Sequence, residues 1–597
     1  MLQTHQGKIN NIINQRPLLF VVIFCGLAGL CLGFSNATWQ VAVETAQVIS
    51  HIVKYPTDNP FYIYHRKAFT IINYITALLL KLIGSERIVT ILISGFLGMV
   101  SFQAIGLLIF SINKNAWLAI LGTILIYFAN YVGKGVVYPV WMLGIQHTYG
   151  ILGLSFIVLT IALISNTCYR IGLFFLGIAP CIHLSWGAWL ILVFAISAIW
   201  SRNFFAQVIK RKYWFFLAGL FITVSLFTYH LYSIRMLPKV EAGIEKQYLI
   251  SYINYWDAHR AKLYWDSLDD SFLYHRWGLV LCAFSIIAGF IGLRYFKEKE
   301  STSFLFKIII VSGISSLLAG IITQIPPEKV PVAFLILMPG RYINLNNFML
   351  AAVLVGLLTI ERNKKYIVNY NLFAFFLICS FFTRHAEVQL ICFGLAMIWL
   401  AYVLINKFSC NNKKLLLQRS HKIGYEALML IVLVAFLSVN ILFSKKYVNH
   451  YIIRQDTLKD RTNDEFYAKI SKREGLLLAT IHNPMISIKT RRPVLVDMSS
   501  PNFFIYAPGS VLIYDNILKK VYGVDLMIPP PIKYQHLDIP FELYQAIWEN
   551  RTLEQWQDIR EEFGVSDILV TSDVVLSLPV IAENSKGILY GIPITNK

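Results

Sequence analysis

Apolar runs of about 20 residues are the feature that most constrains the fold of this 597-residue chain. A helix of that length crosses a hydrocarbon core of about 30 Å. Hydrophobic residues make up 56% of the chain and charged residues only 14%, whereas about a quarter of the residues of soluble proteins are charged. The sequence therefore predicts a polytopic α-helical membrane protein.

The hydropathy pattern predicts the positions of the membrane-spanning helices. The clear spans cover roughly 17–35, 67–83, 88–112, 116–132, 150–167, 213–236, 277–295, 304–324, 344–360, 370–383, 389–406 and 424–443. The first of them follows Lys8 and Arg16 and is interpreted as an uncleaved signal anchor.

The region 133–200 does not divide into simple spans. The segment 136-VVYPVWMLGIQHTYG-150 is broken by Pro139 and Gly144, and the apolar stretch 171–200 is interrupted by 179-APCIHLSWGAW-189. We expect 136–147 and 171–183 to be short helices that end on the outer side, with His147 and His183 facing outward. Broken helices at membrane depth are tolerated where they line a cavity or are buried in protein. The total is then about 13 to 15 transmembrane helices.

Charge is distributed as expected for a membrane protein. The net charge of +20 comes from the membrane part, because the chain from residue 444 onward has 18 basic and 18 acidic side chains. The basic residues cluster in short loops at 200–212, 294–300, 361–365 and 406–422, which the positive-inside rule assigns to the cytoplasm. A nucleic-acid-binding face would need its charge gathered on one surface, so no nucleic-acid partner is predicted.

Successive loops of a polytopic protein alternate between the two sides of the membrane, and this alternation predicts which segments lie outside. They are the first loop, 36–66, the loops 237–276 and 325–343, and everything after residue 444. The chain is predicted to consist of a transmembrane domain over 1–443 and an extracytoplasmic α/β domain over 444–597. In the second domain, apolar runs at 475–481, 494–497 and 567–571 predict strands, and 552-TLEQWQDIREEFG-564 predicts a helix with a Thr cap and a terminal Gly.

Two other site types find no support in the sequence. All eight cysteines precede residue 411, without a CxxC pair or Cys/His metal spacing. The C-terminal segment has no glycine-rich phosphate loop.

The first outer loop, 43-VETAQVISHIVKYPTDNPFYIYHR-66, contains two carboxylates, Glu44 and Asp58. Residues 38–54 are predicted to form a surface helix, and 55–62 to be extended and turned, because Pro56 and Pro60 disfavour helix. Asp58 then lies at the tip of the turn. In the alternative interpretation, Asp58 only caps the turn and Glu44 is a solvated side chain.

Several other ionisable residues are predicted on the outer face. They occur in HTYG, HLSWGAW, 255-YWDAHRAKLYWD-266 and 338-MPGRYINLN-346. Each has a structural explanation, such as a hydrogen-bonded histidine or an arginine at the headgroups. Together they describe an outward cavity with carboxylates, cations and aromatic rings, and ionisable groups at membrane depth are functional candidates. The set is Glu44, Asp58, His147, His183, Asp257, His259, Arg260 and Arg341.

This pattern resembles the GT-C superfamily of membrane glycosyltransferases. The resemblance covers the architecture of the whole chain: many spans, a long acidic first outer loop, broken helices and a C-terminal soluble domain. The combination VETAQV, YPTDNPFY, HTYG, HLSWGAW, YWDAHR and PGRYIN is also similar to a group of large bacterial membrane proteins. This similarity implies a multi-pass protein of the bacterial inner membrane.

The resemblance also implies an activity: transfer of a sugar from a polyprenyl-phosphate-linked donor to an acceptor on the extracytoplasmic side. Asp58 is predicted as the base, with Glu44 as the alternative base, and either carboxylate as a ligand of a divalent metal such as Mg²⁺ or Mn²⁺. Arg341, His259 and Arg260 are candidates for binding the phosphate, and His147, His183 and Asp257 for binding substrate. The expected partners are the lipid-linked donor and membrane lipids.

Two other functions fit the same sequence. A transporter or flippase of a lipid-linked or polar substrate would also have broken helices around an outward cavity, although transporters usually contain internal repeats and none is visible. A non-catalytic envelope assembly factor would use the C-terminal domain for docking, because one fold can host active and inactive members.

Overall fold

A computed structural model describes residues 16–128, 142–143, 149–209, 212–256, 271–358, 458–480, 485–496, 506–529 and 541–594. The predicted spans 370–383, 389–406 and 424–443 lie outside these residues, and of the predicted short helix 136–147 only residues 142–143 are described. The total helix number therefore stays a prediction.

The first part of the chain is helical. Its helices are α1 (Pro17–Ser35), α2 (Val41–Ile49), α3 (Pro60–Lys67), α4 (Ile71–Ile83), α5 (Glu86–Asn113), α6 (Ala116–Phe128), α7 (Tyr149–Ser165), α8 (Tyr169–Ile182), α9 (Leu184–Trp200), α10 (Arg202–Ile209), α11 (Tyr213–Ser233), α12 (Ala242–Tyr255), α13 (Ser271–Tyr295), α14 (Glu300–Ile321), α15 (Val332–Leu337) and α16 (Ile343–Leu358). Short 3₁₀ turns cover Ile322–Gln324, Pro327–Lys329 and Pro339–Tyr342.

The described helices confirm a polytopic membrane protein. Five of them are long and apolar enough to cross a membrane, or six if α9 and α10, bent by 114°, count as one broken span. Three more, α4, α7 and α8, are apolar but have 10–17 residues. Helix α11 has an exposed apolar surface, with Trp214 and Phe221 65% and 73% exposed, which is typical of a helix at the lipid-facing rim.

The break predicted within 171–200 is confirmed at His183. Helix α8 ends at Ile182, and α9 begins at Leu184 with His183 as its N-cap. The Nδ1 atom of His183 accepts a hydrogen bond from the Trp186 amide at 3.4 Å. A side chain that caps a helix start satisfies one of the amides left without an intrahelical partner.

The first outer loop differs from its prediction in two elements. The helix predicted over 38–54 covers only Val41–Ile49 and is buried over Ala42–Val48 instead of lying at the surface, because the C-terminal unit packs against it. Residues from Pro60 onward are helical (α3), not extended. Pro60 is the first residue of that helix, where its missing N–H costs nothing and its fixed φ favours helix. The Asn59 side chain caps the helix by accepting from the Phe61 and Tyr62 amides at 2.9 and 3.2 Å.

The C-terminal segment forms a small α/β unit. Its elements are α17 (Glu465–Ser471), β1 (Leu476–Ala479), α18 (Ile486–Thr490), α19 (Val511–Ile517), a π-helical turn (Leu518–Tyr522), α20 (Phe541–Glu549), α21 (Leu553–Phe563), β2 (Val565–Val570), β3 (Val580–Asn584) and β4 (Gly587–Gly591). The sheet order is β1-β2-β4-β3, with β1 parallel to β2 and the other pairs antiparallel.

Most of the C-terminal prediction is confirmed. The strands near 475 and 567 form β1 and β2, and α21 begins with a capping box at Thr552 and ends at Gly564, whose φ is +72°. Of the segment 494–497, Val494 makes an isolated parallel bridge to Leu477. The hairpin β3–β4 was not predicted, because β3 is an edge strand with mostly exposed side chains and lacks a continuous apolar run.

The first outer loop, α12 and the C-terminal unit are in contact. Leu249, Tyr252 and Trp256 share one buried cluster with the C-terminal core, and the Ser251 hydroxyl donates to the Leu526 carbonyl at 2.6 Å. The Asn59 amide donates to the Val494 carbonyl at 3.1 Å. These three segments, all predicted on the outer side, therefore lie on one side of the helical part.

Candidate functional site

Glu44 lies in the interior, between the membrane part and the C-terminal unit. It is on α2 and is 1% exposed, so the expectation of a solvated side chain is wrong. Its Oε1 accepts a hydrogen bond from the Ser487 hydroxyl at 2.6 Å. Its Oε2 lies 3.8 Å from Nε2 of His65 on α3. A carboxylate from the first loop is thus held by a residue more than 400 positions away in the sequence.

His65 is buried against aromatic rings. Its ring centroid is 4.4 Å from that of Phe61 and 5.0 Å from that of Tyr64. Burial lowers the pKa of His65 to about 3, because the charged form loses its hydration. The 3.8 Å contact with Glu44 therefore involves a neutral imidazole and is not an ion pair, although a protonated histidine at that distance would form one.

A hydrogen-bonded chain leads from His65 to α7. Its Nδ1 lies 2.7 Å from the Thr45 hydroxyl, which lies 2.9 Å from the Tyr149 hydroxyl. Tyr149 in turn donates to Asn73 Oδ1 at 2.6 Å. The chain joins α2, α3, α4 and α7, so the position of Glu44 is fixed by four helices rather than by a free loop.

One turn further along α7, Gly153 lies directly against the His183 side chain. A Cβ atom on Gly153 would lie 2.6 Å from the His183 Cβ, so only glycine leaves room for the helix break there. Tyr149 and Gly153 are four residues apart and therefore on one face, about 6 Å along the helix axis. In addition, Thr70 donates to the Ile182 carbonyl at 2.8 Å. The helix break and the Glu44 cluster are consequently neighbours.

Arg341 lies on the other side of the helix break. It is 7% exposed and donates through Nη2 to the Ser185 hydroxyl at 2.6 Å. Ser185 Oγ is also 3.3 Å from His183 Nδ1. Within the described ranges, Arg341 forms no ion pair, and its Nε–H has no acceptor. A buried guanidinium with one neutral partner is costly unless an anion completes its surroundings.

Aromatic side chains pack against Tyr342, the residue after Arg341. Tyr342 stacks on Trp189 with ring centroids 4.2 Å apart and contacts Trp186 edge-on at 5.4 Å. The indole N–H groups of both tryptophans are buried and, in the part of the chain described, have no acceptor. Two buried indole donors therefore belong to rings that contact Tyr342, the residue after Arg341.

The structure places two of the predicted site residues on one shared partner, a third one helix turn away along α7, and a fourth apart from them. His183 and Arg341 both contact Ser185, and Glu44 follows at a distance, because its neighbour Thr45 contacts Tyr149 one turn of α7 before Gly153. Asp58 is exposed in the turn before α3, and no contact joins it to those three in the described residues. His147, Asp257, His259 and Arg260 lie outside the described residues, so their roles stay predictions.

Sequence reasoning missed most of the residues around Glu44. Thr45, His65 and Tyr149 occur in the quoted motifs, but their type and spacing gave no reason to choose them. Ser487 had no signal at all.

The described residues do not provide a donor set for Mg²⁺ or Mn²⁺. Such ions prefer several oxygen ligands, whereas Glu44 is accompanied by a neutral histidine and a serine, and Asp58 lies elsewhere. No group of three His, Cys, Asp or Glu side chains converges in this part of the chain.

Comparison with known proteins gives likeness in structure alone. No family model matches the sequence, and no curated protein matches it. The chain is similar to the crystal structure of ArnT from Cupriavidus metallidurans bound to undecaprenyl phosphate, with 12% identity, a TM-score of 0.41, and coverage of 97% of this chain and 98% of that one. The apo state of that ArnT gives 11% identity, a TM-score of 0.37 and coverage of 98% of both chains.

Proposed function

We propose that this chain is a membrane glycosyltransferase of the GT-C type. It transfers a sugar from a polyprenyl-phosphate-linked donor to an acceptor on the extracytoplasmic side. The observation that carries the proposal is a series of contacts between a buried carboxylate, Glu44, and a buried guanidinium, Arg341. It runs from Thr45, next to Glu44, to Tyr149 on α7, and from Gly153, one turn along α7, through His183 and Ser185 to Arg341. A base and a phosphate-binding cation are the two groups that this transfer needs.

Each group has a defined role in the proposed reaction. The acceptor hydroxyl attacks the anomeric carbon, the bond from that carbon to the lipid phosphate oxygen breaks, and a carboxylate takes the hydroxyl proton. A general base must lie within hydrogen-bond reach of that proton. The leaving phosphate gains negative charge, which a fixed cation stabilises.

Glu44 is the carboxylate that the geometry favours as base. It is buried, accepts a hydrogen bond from Ser487, and precedes Thr45, which contacts α7. Asp58, in contrast, is in an exposed turn. Asp58 was the first choice from the sequence, because a proline-bounded turn could direct it into a cavity. If Glu44 is the base, Glu44→Gln should lose activity and Asp58→Asn should keep it. If Asp58 is the base, the reverse should hold.

Arg341 is proposed to bind the donor phosphate. Its planar fork can contact two phosphate oxygens, which a lysine cannot do, and its Nε–H has no acceptor in the described residues. His183 and Ser185 orient the guanidinium. His259 and Arg260 stay as further candidates for the same phosphate, and His147 and Asp257 for substrate.

The experiment is transfer of a radiolabelled sugar from polyprenyl-phosphate donors by the purified full chain. Arg341→Lys should lower kcat/KM about ten- to a hundredfold, since a hydrogen bond to a charged group contributes about 1.5–3 kcal/mol. Arg235→Lys is the control, because Arg235 is exposed and its guanidinium lies over the Tyr232 ring. Equal losses in both variants, or none in either, would exclude Arg341 from phosphate binding.

A further inference from the structure

The C-terminal unit reaches into the proposed site through one short helix. Helix α18 packs against α2, where Met485 and Ile488 share a buried cluster with Trp39, Val43 and Ala46. On the same helix, Ser487 is 1% exposed and its hydroxyl donates to Glu44 Oε1 at 2.6 Å. The residue that holds the carboxylate thus comes from outside the membrane domain.

A buried ionic clamp lies beside this contact. Glu86, at the start of α5, is 1% exposed and accepts from Arg491 Nε at 2.5 Å and from Arg461 Nη1 at 3.2 Å. Gln47 also donates to Glu86 Oε1, at 3.1 Å. Gln47 and Glu44 are three residues apart on α2, hence on neighbouring positions of one face. The clamp therefore fixes α18 next to the carboxylate.

The backbone around α18 is held in an unfavourable conformation. Met485 and Arg491 flank the helix, and both have φ of +56°, a region that side chains other than glycine rarely adopt. Such residues persist only when surrounding contacts determine them, and they cluster at functional sites. Two further cases, His51 after α2 and Met338 before Arg341, flank the other proposed site elements.

We propose that Ser487 is a positioning residue for Glu44, so that the C-terminal unit completes the site and shields its carboxylate from solvent. The hydroxyl fixes Oε1 and leaves Oε2 directed toward the His65 side. The catalytic meaning of this contact rests on the proposed function, whereas the shielding of Glu44 does not. The two can therefore be tested separately.

Shielding is tested on the purified full chain with a water-soluble carbodiimide and an amine, followed by peptide mass spectrometry. Asp58 is exposed and should react in every variant, which provides an internal control. Glu44 should stay unmodified in the wild type and in Lys469→Gln, which breaks only the exposed pair with Glu465. Arg461→Gln combined with Arg491→Gln should make Glu44 react, and unchanged protection in that double variant would overturn the proposal.

Positioning is tested by the sugar-transfer assay. Ser487→Ala should lower kcat about ten- to a hundredfold with little change in the KM for the donor, and should move the acid limb of the pH profile to higher pH. Ser487→Thr restores the hydroxyl and should recover most of kcat. Wild-type kcat and pH profile in Ser487→Ala would refute the positioning role. A wild-type chain without transfer activity would refute the proposed function and leave the labelling result valid.

Discussion

At the scale of single residues, His65 connects the site to acid stability. Its imidazole is completely buried and burial lowers its pKa to about 3, whereas an unfolded histidine titrates near 6.5. Between these values the unfolded chain binds a proton that the folded chain does not. The stability that His65 contributes is therefore fully present above about pH 6.5 and is lost as the pH falls toward 3.

We predict that lowering the pH from 7.5 to 5 destabilises the protein through His65 by about 2 kcal/mol, at about 1.4 kcal/mol for each pH unit below 6.5. His65→Gln should reduce the difference between the melting temperatures at the two pH values. His51→Asn is the control, because His51 is exposed and has φ of +59°, which asparagine tolerates. An equal pH dependence in wild type and His65→Gln would contradict this assignment.

The sequence predicted site residues only where an unusual residue type stood in a recognisable segment. Arg341 in PGRYIN and His183 at a helix break were chosen in this way, and their roles stay predictions. The burial of Glu44 was not predicted, because it depends on Ser487 and on helices distant in sequence. Local pattern carries no information on such partners, so Thr45 and Tyr149 also had no signal.

At the scale of helices, α1 and α5 pack through glycines at backbone contact. A Cβ atom on Gly98 would lie 2.1 Å from the Gly29 carbonyl oxygen, and one on Gly33 would lie 2.4 Å from the Ser94 carbonyl oxygen. Small residues allow this close approach in membranes, where apolar burial alone does not drive helices together. These contacts lie at Ser94 and Gly98, in the middle part of α5.

We predict that Gly98→Val separates α1 from α5 and costs about 1–3 kcal/mol, the usual range for overpacking, because the clashing atom belongs to the backbone. The melting temperature of the purified protein measures the loss. Gly243→Ala serves as the matched control, since no atom lies within 4 Å of a Cβ at that helical position. It should be neutral or stabilise by about 0.5 kcal/mol. Equal melting temperatures for the two variants would show that the close contact does not exist.

Helix positions could be predicted from apolar length, but exact ends depended on capping. The first span was predicted at 17–35 and α1 covers the same residues. Helix α3 was missed, since Pro60 was interpreted as a breaker although it stands at the first helical position after the Asn59 cap. A proline favours a helix at its first position and disrupts a helix in its interior. Here the capping residue Asn59 places Pro60 at the first position.

At the scale of the whole molecule, the first loop, α12 and the C-terminal unit meet on one side. The charge pattern predicts that this side is extracytoplasmic. The contacts of Asn59 with Val494 and of Ser251 with Leu526 require the segments to share a side, whichever it is. The sequence predicts the orientation, and the structure shows the contacts between the segments.

We predict that Asp58→Cys and Lys469→Cys react with a membrane-impermeant maleimide in right-side-out vesicles, and Arg202→Cys only in inverted ones. All three positions are exposed, and Arg202 lies in a loop predicted to be cytoplasmic. The wild-type chain gives the background from its own eight cysteines. Labelling of Asp58→Cys and Lys469→Cys from opposite sides would contradict the shared face, and labelling of both only in inverted vesicles would reverse the orientation.

The most direct test of the central claim is a comparison of Glu44→Gln with Asp58→Asn in sugar transfer from a polyprenyl-phosphate donor. Both changes remove a carboxylate and keep the side-chain shape, and general-base catalysis contributes about 10²–10⁴-fold. With Glu44 as base, Glu44→Gln should lose kcat by a factor in that range while Asp58→Asn stays close to wild type. Full activity in Glu44→Gln, with or without a loss in Asp58→Asn, would contradict the account.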